Sequence, residues 1–319
     1  MTVAPDYQQV VVAERVELAQ GVVGLTLHAV DSAPLAPWTP GAHIDIRLPS
    51  GLIRQYSLCG DPQDRQAYRI AVLRAPDSRG GSVEVHERCA VGDELAVSVP
   101  RNHFPLEAAR RHLFIAGGIG ITPLLPMVRQ LAAAGGDWEL LYGGRSRSSM
   151  AFLDKLDGPV DVVPEDEFGL LPLDAFLEKA GSGDLVYCCG PEALLAAVEA
   201  RCAHLLEPGA LRVERFSGAG AGARQDDPTA NEAFEVVLNR RGVVVEIPPA
   251  RSVLEVLREI DPELPFSCEE GYCGTCETAV LAGTPDHRDT LLTPEERADG
   301  SSMMICVSRA LTPRLTLDL

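Results

Sequence analysis

Four cysteines near the C-terminus are spaced for chemistry. Cys268, Cys273 and Cys276 run Cys-x4-Cys-x2-Cys, and Cys306 follows alone about 30 residues later, which is the ligand spacing of a plant-type [2Fe–2S] cluster. Two irons need four thiolates, and four are present. Gly271 and Gly274 lie inside the loop, where they let the backbone wrap closely and aim its N–H groups at sulfur. A structural zinc site is the rival for clustered thiols. Zinc modules usually show two short Cys/His pairs, and three clustered thiols with a distant fourth fit that pattern poorly.

Two further runs carry anion chemistry. Gly117-Gly118-Ile-Gly120-Ile-Thr122-Pro123 follows the apolar strand His112–Ala116 and opens an apolar-periodic helix, with Thr122 as expected N-cap and Pro123 as first helical residue. A glycine turn there lets backbone N–H groups and the positive helix end approach a pyrophosphate. It is not the full G-x-G-x-x-G fingerprint, and a merely tight turn is the alternative. Arg54-Gln-Tyr56-Ser57 places a cation, an aromatic ring and a hydroxyl on one strand. Arg54 and Tyr56 share parity, so one side could offer a phosphate partner and a stacking surface; an ordinary amphipathic strand is the alternative. Arg79-Gly80-Gly81-Ser82 precedes the helical Val83-Glu-Val-His-Glu-Arg, again suited to an anion at a helix start.

The elements that must position these residues fall into three segments. Residues 10 to 105 alternate apolar and polar positions in short runs, as in Ala42-His-Ile-Asp-Ile-Arg-Leu, and read as an antiparallel β-barrel. From Arg111 to about Arg215, apolar strands alternate with helical stretches, which implies a parallel α/β sheet. Ser217-Gly-Ala-Gly-Ala-Gly-Ala223 and the polar residues after it read as a flexible tether. Beyond it, Phe234–Leu238 and Gly242–Ile247 form an expected hairpin, and Ser252–Ile260 a capped amphipathic helix before the cysteine loop.

Composition narrows the partners. The chain has 319 residues and 46% hydrophobic content, enough for two or three cores. A net charge of −18 argues against nucleic acid. From Asn231 onward there are sixteen Asp and Glu against eight Arg and no Lys, so this part carries −8. An acidic face around an electron exit could steer a basic partner, and plain solubility is the other reading. Cys59, Cys89, Cys188, Cys189 and Cys202 show no disulfide framework, so a reducing cytoplasm is the simpler setting. No basic start followed by an apolar run opens the chain, and no apolar stretch approaches the roughly 18 residues of a membrane span. A soluble, unexported protein is expected.

In combination and order, Arg-x-Tyr-Ser-Leu, the Gly-Gly-Ser turn, Gly-Gly-Ile-Gly-Ile-Thr-Pro, Cys189-Gly190-Pro191 and the C-terminal cysteines resemble the phthalate dioxygenase reductase and vanillate demethylase reductase group, over essentially the whole chain. The resemblance implies three domains with a tether: an FMN-binding barrel over 1–106, an NAD-binding α/β domain over 107–222, a linker over 223–230 and a ferredoxin (β-grasp) domain over 231–319. It implies that Arg54 with Arg79, Gly80, Gly81 and Ser82 holds the FMN phosphate, and that Tyr56 lies on the isoalloxazine. Ser57 and Cys189 would be the residues beside the reacting atoms, Ser57 at the flavin N5 and Cys189, within Cys189-Gly190-Pro191, at the nicotinamide. Gly118, Gly120 and Thr122 would cradle the dinucleotide, and Phe216 would cover the flavin region.

FMN is favoured over FAD because no adenine-stacking aromatic motif is seen in the flavin segment. NADH is the implied donor, although Arg145 and Arg147 stand where the adenosine ribose is read and could accept the 2′-phosphate of NADPH. The implied activity passes electrons from NADH through FMN and the cluster to a Rieske-type terminal oxygenase in aromatic or other small-molecule catabolism, from a monomer. A haem monooxygenase as acceptor, and a ferredoxin-like sensing module with a decayed flavin domain, are the other readings.

Overall fold

The structure, a computed structural model, describes residues 7–75, 80–216 and 231–319. Arg79, the Ser217–Ala223 tract and residues 223–230 lie outside the described residues. The chain divides into two compact units, Tyr7–Phe216 and a C-terminal one described over 231–319.

The first unit begins with an antiparallel sheet of six strands: β1 (Tyr7–Ala19), β2 (Val22–Ala29), β3 (His43–Arg47), β4 (Ile53–Ser57), β5 (Tyr68–Leu73) and, after helix α1 (Gly81–Arg88), β6 (Glu94–Ser98). Their order is β4-β3-β6-β1-β2-β5. Beyond β4 the Cys59 N–H donates to the Arg69 carbonyl of β5 at 2.9 Å, so the two edges of the sheet meet and the barrel closes. Val10, Val12, Leu25, Leu27, Ile44, Ile46 and Ile70 fill it. Period-two patterning predicts a polar, wetted face on β3, yet His43 and Asp45 are buried there. The reason is tertiary. The Arg101 guanidinium donates to the Asp45 carboxylate at 2.7 Å, so a charge can sit in the interior once an opposite one covers it.

A parallel sheet follows within the same unit: β7 (Arg111–Gly117), β8 (Trp138–Gly144), β9 (Val160–Pro164), β10 (Asp184–Cys189) and β11 (Leu211–Glu214), in the order β11-β10-β7-β8-β9. Helix α2 (Ile121–Ala134) follows β7, α3 (Glu165–Phe168) and α4 (Leu173–Leu177) follow β9, and α5 (Glu192–Leu205) follows β10. Apolar residues cover both faces of the sheet, as parallel strands require. Val22, Cys59 and Ala71 of the barrel pack on Ala151, Ile119 and Phe152, joining the two layers.

The second unit is a five-stranded mixed sheet with a β-grasp arrangement. Strands β12 (Phe234–Leu238) and β13 (Val243–Ile247) form the hairpin, helix α6 (Val253–Leu257) comes next, and then β14 (Glu277–Ala282), the short β15 (Pro285–Asp286), α7 (Pro294–Asp299), β16 (Ser302–Met304), the short β17 (Arg309–Ala310) and β18 (Arg314–Leu317). The main order is β13-β12-β18-β14-β16, and β18 runs parallel to β12. Ser252 and Glu255 cap α6 reciprocally. The helix stops at Leu257 rather than Ile260, because Pro262 disfavours helical backbone before it. No helix among the described residues is long and apolar enough to cross a membrane.

One phenol ties the connection between the layers to the sheet. The Tyr187 hydroxyl on β10 donates to the Pro105 carbonyl at 3.0 Å and accepts the Glu107 N–H at 2.9 Å. Tyr187→Phe should cost about 1 kcal/mol, since the Glu107 N–H and the Pro105 carbonyl lose their shared partner; urea denaturation of the purified variant measures it, and an unchanged midpoint would show that water replaces the phenol.

Candidate functional site

The cysteine loop is shaped by backbone that few side chains tolerate. Glu269, Gly271 and Gly274 all have positive φ, at 58°, 73° and 73°. A β-carbon on Gly271 would come within 2.6 Å of Val307 and 3.0 Å of the Asp289 Cα. The bends turn Cys268, Cys273, Cys276 and Cys306 inward, where all four are buried and unoxidised. The Cys268 thiol bonds to those of Cys273 and Cys306, and Cys306 also to Cys276. The four thiols therefore form one connected cluster, in the order Cys273, Cys268, Cys306 and Cys276. A [2Fe–2S] centre takes four thiolates, two on each iron, and the four buried thiols supply that number. The Glu270 N–H donates to Cys268 Sγ at 3.3 Å, as a backbone tuned to a sulfur-rich centre would. The neighbouring Cys268 thiol and burial push the Cys273 thiol far up, so this packing resists bare thiolates and suits a cationic centre.

Sequence inspection passed over Asp289. Its buried carboxylate accepts the Leu291 and Leu292 N–H groups at 3.1 and 2.8 Å, and the next N–H, of Thr290, donates to the Gly271 carbonyl at 2.9 Å. A buried carboxylate holding two backbone amides fixes the layer on which the cysteine loop rests. The only sequence signal was a lone Asp before two leucines.

On β4, Arg54 and Tyr56 oppose Ile46 and Ile44 and share one face, while Ser57 opposes His43 on the other. Helix α1 begins against that strand. A β-carbon on Gly81 would fall 2.5 Å from Arg54 Cγ and 2.7 Å from its Nε, so glycine alone lets the guanidinium stem lie across the helix start. Gly80 caps the helix at φ 93°, and Ser82 Oγ accepts the Ala75 N–H at 3.2 Å. The Glu84 carboxylate binds both the Ser50 N–H at 2.7 Å and the Ser50 hydroxyl at 2.5 Å, pinning α1 to the β3–β4 turn. Burial pushes the Tyr56 hydroxyl well up, leaving a neutral ring. Ser57 Oγ is buried and has no hydrogen-bond partner among the described residues. Arg54 at a glycine helix start fits a phosphate, and the buried orphan hydroxyl of Ser57, on the other face of β4, is a polar group left open for a ligand.

In the parallel sheet the chain leaves β7 for β8 and β9 on one side, then returns to β10 and β11 on the other. The switch point lies between β7 and β10, where α/β sheets bind ligands beyond their carboxyl ends. Both glycine turns stand there. A β-carbon on Gly120 would sit 2.2 Å from the Cys189 carbonyl oxygen, and one on Gly190 would sit 3.0 Å from the Gly117 Cα. These glycines bring the two loops into contact. Gly118, at φ 55°, meets nothing within 4 Å and faces open space. Thr122 is not the N-cap: a 3-10 turn over Gly118–Gly120 runs directly into α2, and the buried Thr122 hydroxyl donates back to Ile119 O at 3.0 Å. Pro123 is accordingly the third residue of the helix.

Cys189 is fully buried within the core, where burial pushes its thiol well up; Pro191 caps α5. Phe216 is exposed at the end of the unit. Arg147 is clamped by Glu167 at 3.0 and 3.2 Å, whereas the exposed Arg145 has no ion-pair partner among the described residues. Glu214, overlooked in the sequence, stands opposite Cys189 at the carboxyl end of β11, half-buried, and desolvation pushes its carboxyl up to about 8. A lone acid ending an apolar strand was the available signal.

Residues 236–311 match the 2Fe-2S iron-sulfur cluster binding domain family. Over 97% of its length the chain is 40% identical to phthalate dioxygenase reductase of Burkholderia cepacia, covering 96% of that protein. The chain belongs to the phthalate dioxygenase reductase family. A solved phthalate dioxygenase reductase, described as a modular structure for electron transfer from pyridine nucleotides to [2Fe-2S], is 38% identical with a TM-score of 0.71, at 98% coverage of both chains. An intact type IV self-sufficient cytochrome P450 monooxygenase matches with a TM-score of 0.91 and 44% identity; the match covers 98% of this chain and 41% of that protein. The barrel, parallel sheet and C-terminal ferredoxin-type unit are the family fold.

Two measurements probe these sites. Gly271→Ala should prevent stable cluster assembly, because the added carbon meets Val307 and Asp289 and the positive φ is strained as well; iron per chain after reconstitution reads it, and full iron would show that the loop relaxes freely. For Glu214 the folded carboxyl keeps its proton up to about 8 while the unfolded one loses it near 4.5. The folded state therefore binds the extra proton, and stability falls as pH rises through that window. Glu214→Gln should flatten this slope in thermal melts from pH 5 to 8, and parallel curves for the two proteins would locate the group in water.

Proposed function

We propose that this oxidoreductase is the reductase component of an oxygenase system, drawing electrons from NADH and delivering them singly to a terminal oxygenase. The observation that carries the reading is the connected cluster of four buried thiols, in a chain whose other unit has a glycine helix start beside Arg54 and a switch point in its parallel sheet. Bound FMN would accept a hydride and release its electrons one at a time, and a [2Fe–2S] cluster would relay them outward. The domain division 1–106, 107–222 and 231–319, with 223–230 as tether, belongs to the same proposal.

The chain's own residues supply placement. Arg54 and the N–H groups at the start of α1, with Gly80, Gly81 and Ser82, hold the phosphate; Arg79 is assigned there by resemblance alone. Tyr56 gives the ring a neutral platform, and the orphan Ser57 hydroxyl addresses its polar edge. Gly118 opens the backbone toward the dinucleotide, while Gly120, Thr122, Gly190 and Pro191 fix the two turns around it. The thiol of Cys189 stays neutral at the floor, beside Glu214, and Phe216 lies at the rim. NADH is the assigned donor, because Glu167 occupies Arg147 and leaves Arg145 as the single cation on that turn for a 2′-phosphate.

The partner assigned is a Rieske-type oxygenase acting in small-molecule catabolism, met by a monomeric reductase. Its docking face would be basic. Of the arginines in the C-terminal unit, Arg240, Arg241, Arg251, Arg288 and Arg314 are spent on Asp318, Asp261, Glu259, Asp286 and Glu235, and Glu269 and Glu270 directly after Cys268 place two carboxylates on the cysteine loop. Nine free thiols suit a reducing compartment such as the cytoplasm. A haem monooxygenase as acceptor is the second reading, favoured by the likeness to the P450 protein.

Metal and flavin analysis tests the proposal: about two irons and one FMN per chain are expected, and released FAD or an iron-free protein after reconstitution would sink it. Arg54→Ala should weaken FMN binding roughly ten- to a hundredfold by fluorescence titration with the cluster intact. Cys273→Ser should do the reverse, abolishing partner reduction while NADH still bleaches the flavin.

A further inference from the structure

The buried polar face of β3 is unused by that reading. His43 is only 2% exposed, and neither ring nitrogen has a hydrogen-bond partner among the described residues. Directly across the β3–β4 ladder stands Ser57, whose buried hydroxyl is likewise unpartnered. Opposed residues of an antiparallel pair share a face with β-carbons about 5 Å apart, a gap closed by a hydroxyl rotation or one bridging water. On its other side His43 stacks on His103, ring centroids 5.5 Å apart and planes within 25°. His103 is exposed. The contact is built in by the backbone: the N–H groups of His43 and Arg101 donate to each other's carbonyls at 2.9 and 3.0 Å, which sets residue 103, two further on, over the same face.

Electron bookkeeping requires such a line of groups. A hydride brings two electrons and one proton into the site, whereas electrons alone leave it for an iron–sulfur centre. One proton per dinucleotide therefore has to reach solvent. We propose that Ser57, His43 and His103 form that exit: the Ser57 hydroxyl would take up the proton left by the hydride as it gives its own to one ring nitrogen of His43, and the opposite nitrogen would release a proton to water at the outlet bordered by the stacked, exposed His103, so that both Ser57 and His43 end neutral as they began. The proposal rests on Ser57 lying at the flavin. His43 acts through Ser57 and does not itself touch the reacting atoms.

The surroundings suit a relay that passes a proton and does not keep it. Burial first, then the Arg101 cation and His103, hold the His43 imidazole well below its ordinary range, so it rests neutral with one nitrogen able to accept and the other to donate. The charged and titratable groups around it are Arg101, Asp45 paired with Arg101, and His103; Tyr7 on β1 faces the same Asp45 and Arg101. The Arg101–Asp45 pair keeps a net charge from settling beside the ring.

The test uses the full chain with flavin and cluster loaded. It is mixed anaerobically with NADH and excess cytochrome c, an electron-only acceptor, in weak buffer with a pH-indicator dye. Flavin bleaching reports hydride transfer and the dye reports proton release. His43→Gln should leave flavin content unchanged and bleaching within about twofold, but slow proton release by at least about tenfold. His103→Ala should slow release less and recover in imidazole buffer. As a readout without turnover, the His43 ring nitrogens should shift in NMR spectra when FMN is added to flavin-free protein, while those of exposed His28 stay put. Proton release in His43→Gln that keeps pace with the wild type, bleaching slowed as much as release, or His43 resonances indifferent to bound FMN would each overturn the relay. Failure of the wild-type protein to bind FMN at all would overturn the placement of Ser57 and the relay with it.

Discussion

At the carboxyl edge of the parallel sheet, the Cys189 carbonyl occupies the space that any β-carbon on residue 120 would need. That backbone-to-backbone contact is the constraint from which the nucleotide end of the first unit follows. It draws the turn after β7 onto the turn after β10 and sets the starts of α2 and α5 side by side at the switch point, leaving Gly118 facing outward. The same device recurs elsewhere. Gly41 lies under the Phe104 carbonyl, where a β-carbon would be 1.8 Å from oxygen, and Gly81 lies under the Arg54 stem. At each point a missing carbon lets two segments distant in sequence share one volume.

Burial of polar groups is the second thread. Asp45 is tolerated inside the barrel because Arg101 covers it, Glu84 because Ser50 gives it two donors, and Asp289 because two backbone amides do. Other buried polar groups lack even one such partner. Ser57 and His43 are buried side by side with nothing to bond, although an orphaned polar group costs about 1–3 kcal/mol. Cys268, Cys273 and Cys306 follow the same logic, since their packing raises the cost of negative charge, which a metal centre of opposite sign would offset.

Period and punctuation made most of the elements legible. The hairpin from Phe234 to Ile247, the Ser252–Glu255 cap, the strands around the glycine turns and the cysteine spacing all depend on residues close together in the chain, so local rules reach them. The sequence by itself thus determined the fold class, the spacing of the four cysteines and the strand that carries Arg54, Tyr56 and Ser57. Position along a helix was less secure. Thr122 falls inside α2 because the preceding glycines already wind into a 3-10 turn, a choice that one-residue propensities do not resolve.

Only the tertiary structure decided which polar residues lie inside and what faces them. Alternation on β3 assigns His43 and Asp45 to water, and they are buried because Arg101 and His103, some 60 residues away, fold across that face. Glu214 meets Cys189 only through the parallel pairing of β10 with β11, and Asp289 meets Gly271 only through a loop closure. Arg147 and Arg145 look equivalent in the chain until Glu167, on the far side of β9, takes one of them. Each of these pairings is non-local, and its energy depends on desolvation and on a partner's distance, neither of which is written in the spacing of the residues involved.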